Sequence, residues 1–223
     1  MSPASIKAEF HCHTRYSPDS LMSVEALLSA CRKKGISKVA VTDHNSLQGA
    51  LEARAMAPEL VIVGEEIMTT EGEILGYFLT EEIPAGLQPM EVVRRLREQG
   101  AFISVAHPFD PYRGSRWQKA TLEALAPHLD GIEVFNSRCV ESAFNQQALA
   151  FAQEFALPQM VGSDAHSTTE LGRAVLSLPD FNSAQELRAA LQSSEQKTRR
   201  STKLVHLIST WAKLVKSIGI AAE

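Results

Sequence analysis

Histidines and carboxylates recur together in short runs: His11-Cys12-His13, Asp43-His44, Gly64-Glu65-Glu66, His107-Pro108 and Ser163-Asp164-Ala165-His166. Imidazole and carboxylate together ligate zinc, manganese or iron, whereas a structural zinc finger would need a thiolate cluster that this chain lacks. On extended backbone the side chains alternate, so His11 and His13 point one way and Cys12 the other, toward a helix layer. Asp164 and His166 share a side in the same manner, with Ala165 turned away. Each run also has a plainer explanation. Asp43 and Asp164 could cap helices, Glu66 could be a surface acid, and His107-Pro108 could begin a loop. The joint pattern favours metal binding, because the plainer explanations need several independent coincidences.

The elements that must position these residues follow from the hydrophobic pattern. Short apolar runs at Ile6–Phe10, Lys38–Val41, Leu60–Val63, Ile74–Leu79, Phe102–Ala106, Gly131–Phe135, Met160–Gly162 and Ala174–Leu178 predict strands. Ser23–Lys34, Ser46–Met56, Met90–Gln99, Leu122–His128, Val140–Phe155 and Ser183–Leu191 predict helices, with Ser23 and Ser46 as N-caps and Gly35 and Gly100 past the C-terminal ends. Glu71–Glu73 reads as a tight turn in a hairpin. Otherwise the alternation predicts a parallel sheet with outer helices, best closed as a distorted (β/α)7 TIM-like barrel, with an open doubly wound sheet as the alternative. Every histidine of the runs above then sits at the C-terminal end of a strand, on the face where barrels of this kind keep their sites.

Composition bounds the rest. With 44% hydrophobic and 22% charged residues, the chain has the content of a cored globular domain, which excludes disorder and a disulfide scaffold. Its formal charge is −4, but Lys197, Arg199, Arg200, Lys203, Lys213 and Lys216 gather in a basic tail behind an acidic body. The expected organisation is a barrel over residues 1–195 and a basic helical tail over 196–223 packed on it. Within the tail, Leu204, Leu207, Ile208, Trp211, Leu214, Val215 and Ile218 form an apolar stripe across an amphipathic helix spanning Lys203–Ile220. That stripe is expected to dock on the barrel or on a partner subunit, which makes an oligomer possible. Membrane-surface or RNA contact by the tail is the lesser alternative. Met1–Phe10 does not read as a signal peptide, no run suits a transmembrane span, and three widely spaced cysteines suit a reducing compartment, so the expected location is cytoplasmic.

Taken in order, His11-x-His13-Thr14-x-x-Ser17-x-Asp19-Ser20, Thr42-Asp43-His44, Gly64-x-Glu66, Ala106-His107-Pro108 and Ser163-Asp164-x-His166 resemble the motifs of the PHP (polymerase and histidinol phosphatase) domain family of metal-dependent phosphoesterases. The resemblance covers about Ile6–Leu178. It implies a distorted barrel with two or three divalent metal ions (Zn, Mn or Fe). His11, His13, Glu66 and Asp164 would hold one ion; Glu66 would bridge to a second, also held by His107. Asp19, His44 and His166 would hold a third. Where many members carry a histidine before an Ile-Leu-Gly, this chain has Glu73, a carboxylate that can still ligate. Asp164, His166 and His107 would act in catalysis through metal-bound water. Glu65 would face away from the ions, and Asp43 would orient a neighbouring residue.

Three divalent cations against Asp19, Glu66, Glu73 and Asp164 leave the site net positive, which suits a phosphoryl oxyanion. Arg113, Arg116, Asn136 and Arg138 follow strands on the same face and are candidates for substrate binding; His128 and His206 read as ordinary surface or packing histidines. The expected function is hydrolysis of a small phosphorylated substrate, a nucleotide or another phosphomonoester or diester. A short oligonucleotide end is a possible substrate, but nothing points to a stable nucleic-acid partner. The alternatives are histidinol phosphate as the substrate, C–N hydrolysis by an amidohydrolase-like barrel, and a non-catalytic metal-stabilised barrel. Against C–N hydrolysis, no bridging lysine stands among the strand-end motifs.

Overall fold

A computed structural model describes residues 5–113, 116–202 and 204–218. Among the described residues, nine strands form one sheet in the order β7-β6-β5-β4-β3-β2-β1-β8-β9. They are β1 (Ser5–Cys12), β2 (Lys38–Val41), β3 (Val61–Met68), β4 (Glu73–Tyr77), β5 (Phe102–Val105), β6 (Gly131–Asn136), β7 (Gln159–Gly162), β8 (Ala174–Pro179) and β9 (Glu195–Thr198). The described residues also contain seven α-helices: α1 (Val24–Lys34), α2 (Gln48–Met56), α3 (Pro89–Glu98), α4 (Lys119–Leu125), α5 (Ser142–Glu154), α6 (Ala184–Ala190) and, after the last strand, α7 (Val205–Ser217).

The sheet curls into a nearly closed, distorted TIM-like barrel. Closure comes where the chain leaving β7 meets the end of β1: His13 N–H donates to the Ala165 carbonyl (2.8 Å) and Ala165 N–H to the His11 carbonyl (3.2 Å). Lower on the same seam, the buried Glu9 carboxylate accepts from Ser163 N–H (3.0 Å) and Gly172 N–H (2.9 Å), and burial pushes its pKa up to about 7. Phe10, Tyr77, Phe102 and Phe181 are fully buried, with Phe10 edge-on to Tyr77 and stacked on Phe181. The β1–β2 and β6–β7 ladders each contain a register shift, at Glu9/Cys12 and Glu133/Phe135. Such irregularities redirect side chains near functional sites.

Several expectations change. The Glu71–Glu73 turn does join an antiparallel hairpin, β3–β4, but β4–β5, β1–β8 and β8–β9 are antiparallel as well, so the sheet is mixed. The division expected between residues 195 and 196 falls within the exposed edge strand β9, which pairs antiparallel along β8. Ser23 caps α1, accepting from Ala26 N–H. Ser46 does not cap α2: that helix begins at Gln48 after Leu47, because Ser46 Oγ is engaged by Gln48 N–H in a local turn. Helix α4 and a following 3₁₀ turn, Ala126–His128, occupy the stretch expected as one helix, Leu122–His128.

The largest correction concerns the tail. Helix α7 lies against the barrel, but its apolar stripe faces outward: Leu207 is 65% exposed and Trp211 60%, and Leu204, Ile208, Leu214 and Ile218 are exposed too. The opposite side is the one that packs, through Val205, Ser209 and Ala212. Its receptor is polar, which explains the choice. Arg138 donates to the Val205 carbonyl and Ser209 Oγ, and Lys216 donates to the Arg15 and Ser17 carbonyls. Lys203, Gly219 and Ile220 of the expected helix lie outside the described residues. No helix among the described residues is long and apolar enough to cross a membrane.

Candidate metal centre

Side chains from six separate segments meet at one end of the barrel. His11 leaves the end of β1, His13 and Asp19 the loop after it, His44 the loop after β2, Glu66 and Glu73 the β3–β4 hairpin, His107 the loop after β5, and Asp164 and His166 the loop after β7. All of them except His44, which is half-buried, are buried. Glu66 is central. Its Oε2 lies 3.2 Å from His11 Nε2, 3.3 Å from His13 Nε2 and 3.1 Å from His44 Nδ1, while its Oε1 lies 2.9 Å from His107 Nε2. Asp164 Oδ1 is 3.2 Å from His13 Nε2, and Glu73 lies 3.6 Å from both His44 Nδ1 and His107 Nε2. On the outer side, Asp19 meets His166 Nε2 at 3.2 Å and His44 Nε2 at 3.6 Å. His44 thus turns one nitrogen toward Glu66 and Glu73 and the other toward Asp19.

The donor set fits a cluster of divalent cations. His11 Nε2, His13 Nε2, His44 Nδ1, His166 Nε2, Glu66 Oε2, Asp19 Oδ1 and Asp164 Oδ1 are buried atoms that lack hydrogen-bond partners, although each sits among the others. Orphaned polar atoms are costly in a protein interior, and cations shared among overlapping subsets of them are the simplest groups that satisfy them. Overlapping sets of three, such as His11–His13–Asp164, His11–Glu66–His107, His44–Glu66–Glu73 and His13–His44–His166, have donor atoms within 4.8 Å of one another. Two of the participating residues, His107 (φ 26°) and Asp164 (φ 51°), adopt left-handed backbone that non-glycine residues rarely take, the kind of strain found at functional sites.

A surrounding layer fixes the rings. Glu133, from β6, accepts from His11 Nδ1 (2.9 Å) and from His107 N–H (2.8 Å). Asp43 accepts from Thr14 N–H, Thr14 Oγ1 and Ser17 Oγ, each at 2.6 Å. Since the single Ser17 proton goes to Asp43, Ser17 Oγ must accept from His13 Nδ1 (3.0 Å), which leaves a bare lone pair on His13 Nε2. Two glycines make room for this layer. A Cβ at Gly49 would lie 2.1 Å from Asp43 Oδ2, and one at Gly162 would lie 2.1 Å from Glu133 Oε1 and 2.5 Å from His11 Cβ.

Electrostatics divide the histidines. Burial pushes His166 down to about 3, which favours the neutral imidazole. Burial also opposes charge on His44, but Glu66, Asp19 and Glu73 outweigh it and carry the ring up to about 9. Burial would raise Asp164; Arg113 and His11 instead hold it well below the ordinary carboxylate range. Protons and cations therefore compete for the same lone pairs.

Sequence reasoning missed Glu133 and Glu9. Both are single acids inside apolar strand sequence, Ile132-Glu133-Val134 and Ala8-Glu9-Phe10, and that isolation was the available signal. Glu133 adds a negative charge to the expected balance. Glu65 faces away, accepting from Ile83 N–H (3.0 Å), and burial carries its pKa up to about 8.

The expected substrate-binding residues have different situations. Arg113 Nη2 is 2.7 Å from Asp164 Oδ2, and its Nε donates to Asp110. Asn136 is buried and donates to Glu133 and Asp164. Arg138 is buried, with Nη1 2.6 Å from His166 Nδ1 and Nη2 on α7. Arg116 is exposed and lines a small cavity of about 150 Å³ beside Glu73 and His107. A larger cleft of about 490 Å³ opens over Asp19, His44 and Glu73. Tyr112, Arg113 and Arg138 form one part of its wall, and His206, Thr210 and Lys213 of α7 another.

Residues 143–195 match the model of a PHP-associated family. An uncharacterised protein of Methanocaldococcus jannaschii, MJ1587, is 40% identical over 158 residues, covering 65% of this chain and 90% of that protein. A two-domain protein from Bacteroides vulgatus containing a predicted PHP-like metal-dependent phosphoesterase superimposes with a TM-score of 0.72 at 20% identity, over 88% of this chain and 66% of that one. The lesion-specific endonuclease PfuEndoQ from Pyrococcus furiosus superimposes with a TM-score of 0.64 at 17% identity, over 86% of this chain and 57% of that one. This chain therefore spans just under two thirds of the first solved protein and less of the second.

Proposed function

We propose that the chain, whose residues 143–195 match a PHP-associated family model, is a PHP-type metal-dependent phosphoesterase acting on a small phosphorylated substrate. The observation that carries this reading is the convergence of partnerless buried nitrogen and oxygen atoms around Glu66 at the mouth of the barrel. In this reading His11, His13, Glu66 and Asp164 hold one divalent ion, Glu66, Glu73 and His107 a second, and Asp19, His44 and His166 a third. Zinc, manganese or iron suits the donor set. Such ions, when bound, supply Lewis-acid polarisation of a phosphoryl oxygen and a water acidic enough to attack at neutral pH.

The chain's own residues prepare the site. Glu133 and the Ser17–Asp43 pair set His11 and His13 with their Nε2 lone pairs facing inward. Asn136 and Arg113 hold Asp164 from the far side, so its Oδ1 stays directed at His13. Arg138 fixes the position of His166 while tying it to α7. The cleft above admits a substrate from solvent, and Tyr112 at its rim, 67% exposed, offers an aromatic surface. That ring favours a nucleotide over a plain sugar phosphate, because a base can stack on it. The lesion-specific endonuclease among the structural neighbours is in keeping with a nucleotide-related substrate.

The test is hydrolysis of a panel of nucleotides, sugar phosphates and histidinol phosphate by metal-loaded protein, wild type against His13→Ala and Asp164→Ala. Release of phosphate or of an alcohol by wild type, lost in both variants while each stays folded by circular dichroism, is the expected result. Undiminished turnover in the variants would remove the ligand assignment.

A further inference from the structure

Of the arginines that follow the strands, Arg116 lines the separate small cavity and not the larger cleft, and the other two are already committed. Arg113 spans Asp110 and Asp164, and Arg138 spends its guanidinium on His166, the Val205 carbonyl and Ser209, with its Nε 3.3 Å from Glu170. Pulling either onto a substrate would strip a buried carboxylate of its partner, a change that costs several kcal/mol. Lys213 differs. Its side chain is 61% exposed, it lines the cleft, and its Nζ lies 3.5 Å from Asp19 Oδ2. The ammonium is largely solvated and Asp19 keeps His166 and His44 as partners, so this contact gives way readily to a stronger anion. The ammonium is also a flexible point charge with three donors, suited to following a phosphoryl group.

The helix carrying it is a fixed platform. Lys216, one turn on, is anchored on the Arg15 and Ser17 carbonyls of the loop that bears Asp19, and Arg138 grips the start of α7. We infer that Lys213 of the C-terminal helix is the phosphate-contacting cation of this site, so that the substrate cleft is shared between barrel and tail. This rests on the phosphoesterase reading and adds a specificity residue to it.

Two measurements on metal-loaded protein test the assignment, with metal content determined for each variant. The first is steady-state hydrolysis of p-nitrophenyl phosphate and bis(p-nitrophenyl) phosphate by wild type, Lys213→Ala, Lys213→Arg and, as a control on exposed β9, Lys197→Ala. The second is calorimetric titration with inorganic phosphate. Lys213→Ala is expected to raise KM and weaken phosphate binding about tenfold, the weight of one charge-assisted contact in an open cleft, with kcat and metal content unchanged. Lys213→Arg should recover most of the loss, and Lys197→Ala should behave as wild type. Wild-type KM and phosphate affinity in Lys213→Ala overturn the inference, and so does loss of metal in that variant, which would make Lys213 a support for Asp19. A wild type that hydrolyses neither ester yet binds phosphate through Lys213 defeats the phosphoesterase reading and leaves the assignment standing; absence of phosphate binding by wild type overturns the assignment.

Discussion

Glu133 Oε1 lies 2.9 Å from Nδ1 of His11, a residue 122 positions earlier in the chain, and both are fully enclosed. A buried carboxylate on the far nitrogen of an imidazole fixes the tautomer and raises the basicity of the near one. Glu133→Gln keeps the shape but weakens that pull, so metal affinity should fall about 10–100-fold. Competition against a chelating dye measures it. Wild-type affinity in Glu133→Gln would show that His11 does not depend on this partner.

The Asp43–Ser17–His13 relay makes a second, independent claim. Ser17→Ala and Asp43→Asn should each lower metal affinity by about tenfold or more. Because both act through the same imidazole, the double variant should lose much less than the sum of the two. Full additivity in the same titration would mean that the two residues act separately.

Much of this was legible from residue types alone. The inward pair His11/His13 and the outward Cys12 follow from strand alternation, and Cys12 Sγ is indeed turned to the Ala40 carbonyl. The orienting role of Asp43 comes from the motif resemblance, since residue type alone leaves a helix cap equally open, and Asp43 does accept from Thr14 and Ser17. Glu133 and Arg138 were harder, because whether a polar side chain faces a cavity, a carboxylate or a helix depends on register shifts and on partners far away in sequence. The tail shows the limit most plainly. Hydrophobic periodicity identified α7 and its stripe, but which side docks was decided by the polar anchors at Arg138 and the Ser17 loop.

Metal removal should destabilise the fold, since the carboxylates Glu66, Glu133 and Asp164 share one buried volume in which imidazoles, Arg113, the Asn136 amide and the His107 N–H offset them only in part. Free metal at about 100 times its dissociation constant adds roughly 3 kcal/mol, or about 5–10 °C in Tm for a chain of this size. Differential scanning calorimetry before and after chelation reads the shift. An unchanged Tm after verified metal removal would contradict the prediction.

Remote from the site, Asp130 joins Arg97 (2.6 Å) and Arg188 (2.8 Å) and accepts from Ile103 N–H (2.9 Å). Burial would raise its pKa, but Arg188 and Arg97 outweigh burial and hold it below the ordinary value. A carboxyl whose folded pKa is depressed contributes stability that is fully present above its unfolded value near 4 and lost as pH falls through the folded one. Asp130→Asn should therefore cost about 1–2 kcal/mol at pH 7, a figure reduced because both guanidinium groups are more than a third exposed, and the deficit should shrink below about pH 4. Urea unfolding of both proteins across that range checks it; a deficit independent of pH would rule out the charge as its source.

The most direct measurement of the central claim is metal content by inductively coupled plasma mass spectrometry on protein purified without chelator, with His13→Ala and Asp164→Ala alongside. The account predicts about two to three equivalents of transition metal in wild type, in line with the donor groups present, and a clear loss in both variants. A wild-type protein that is folded, metal-free and unable to take up zinc, manganese or iron would contradict it.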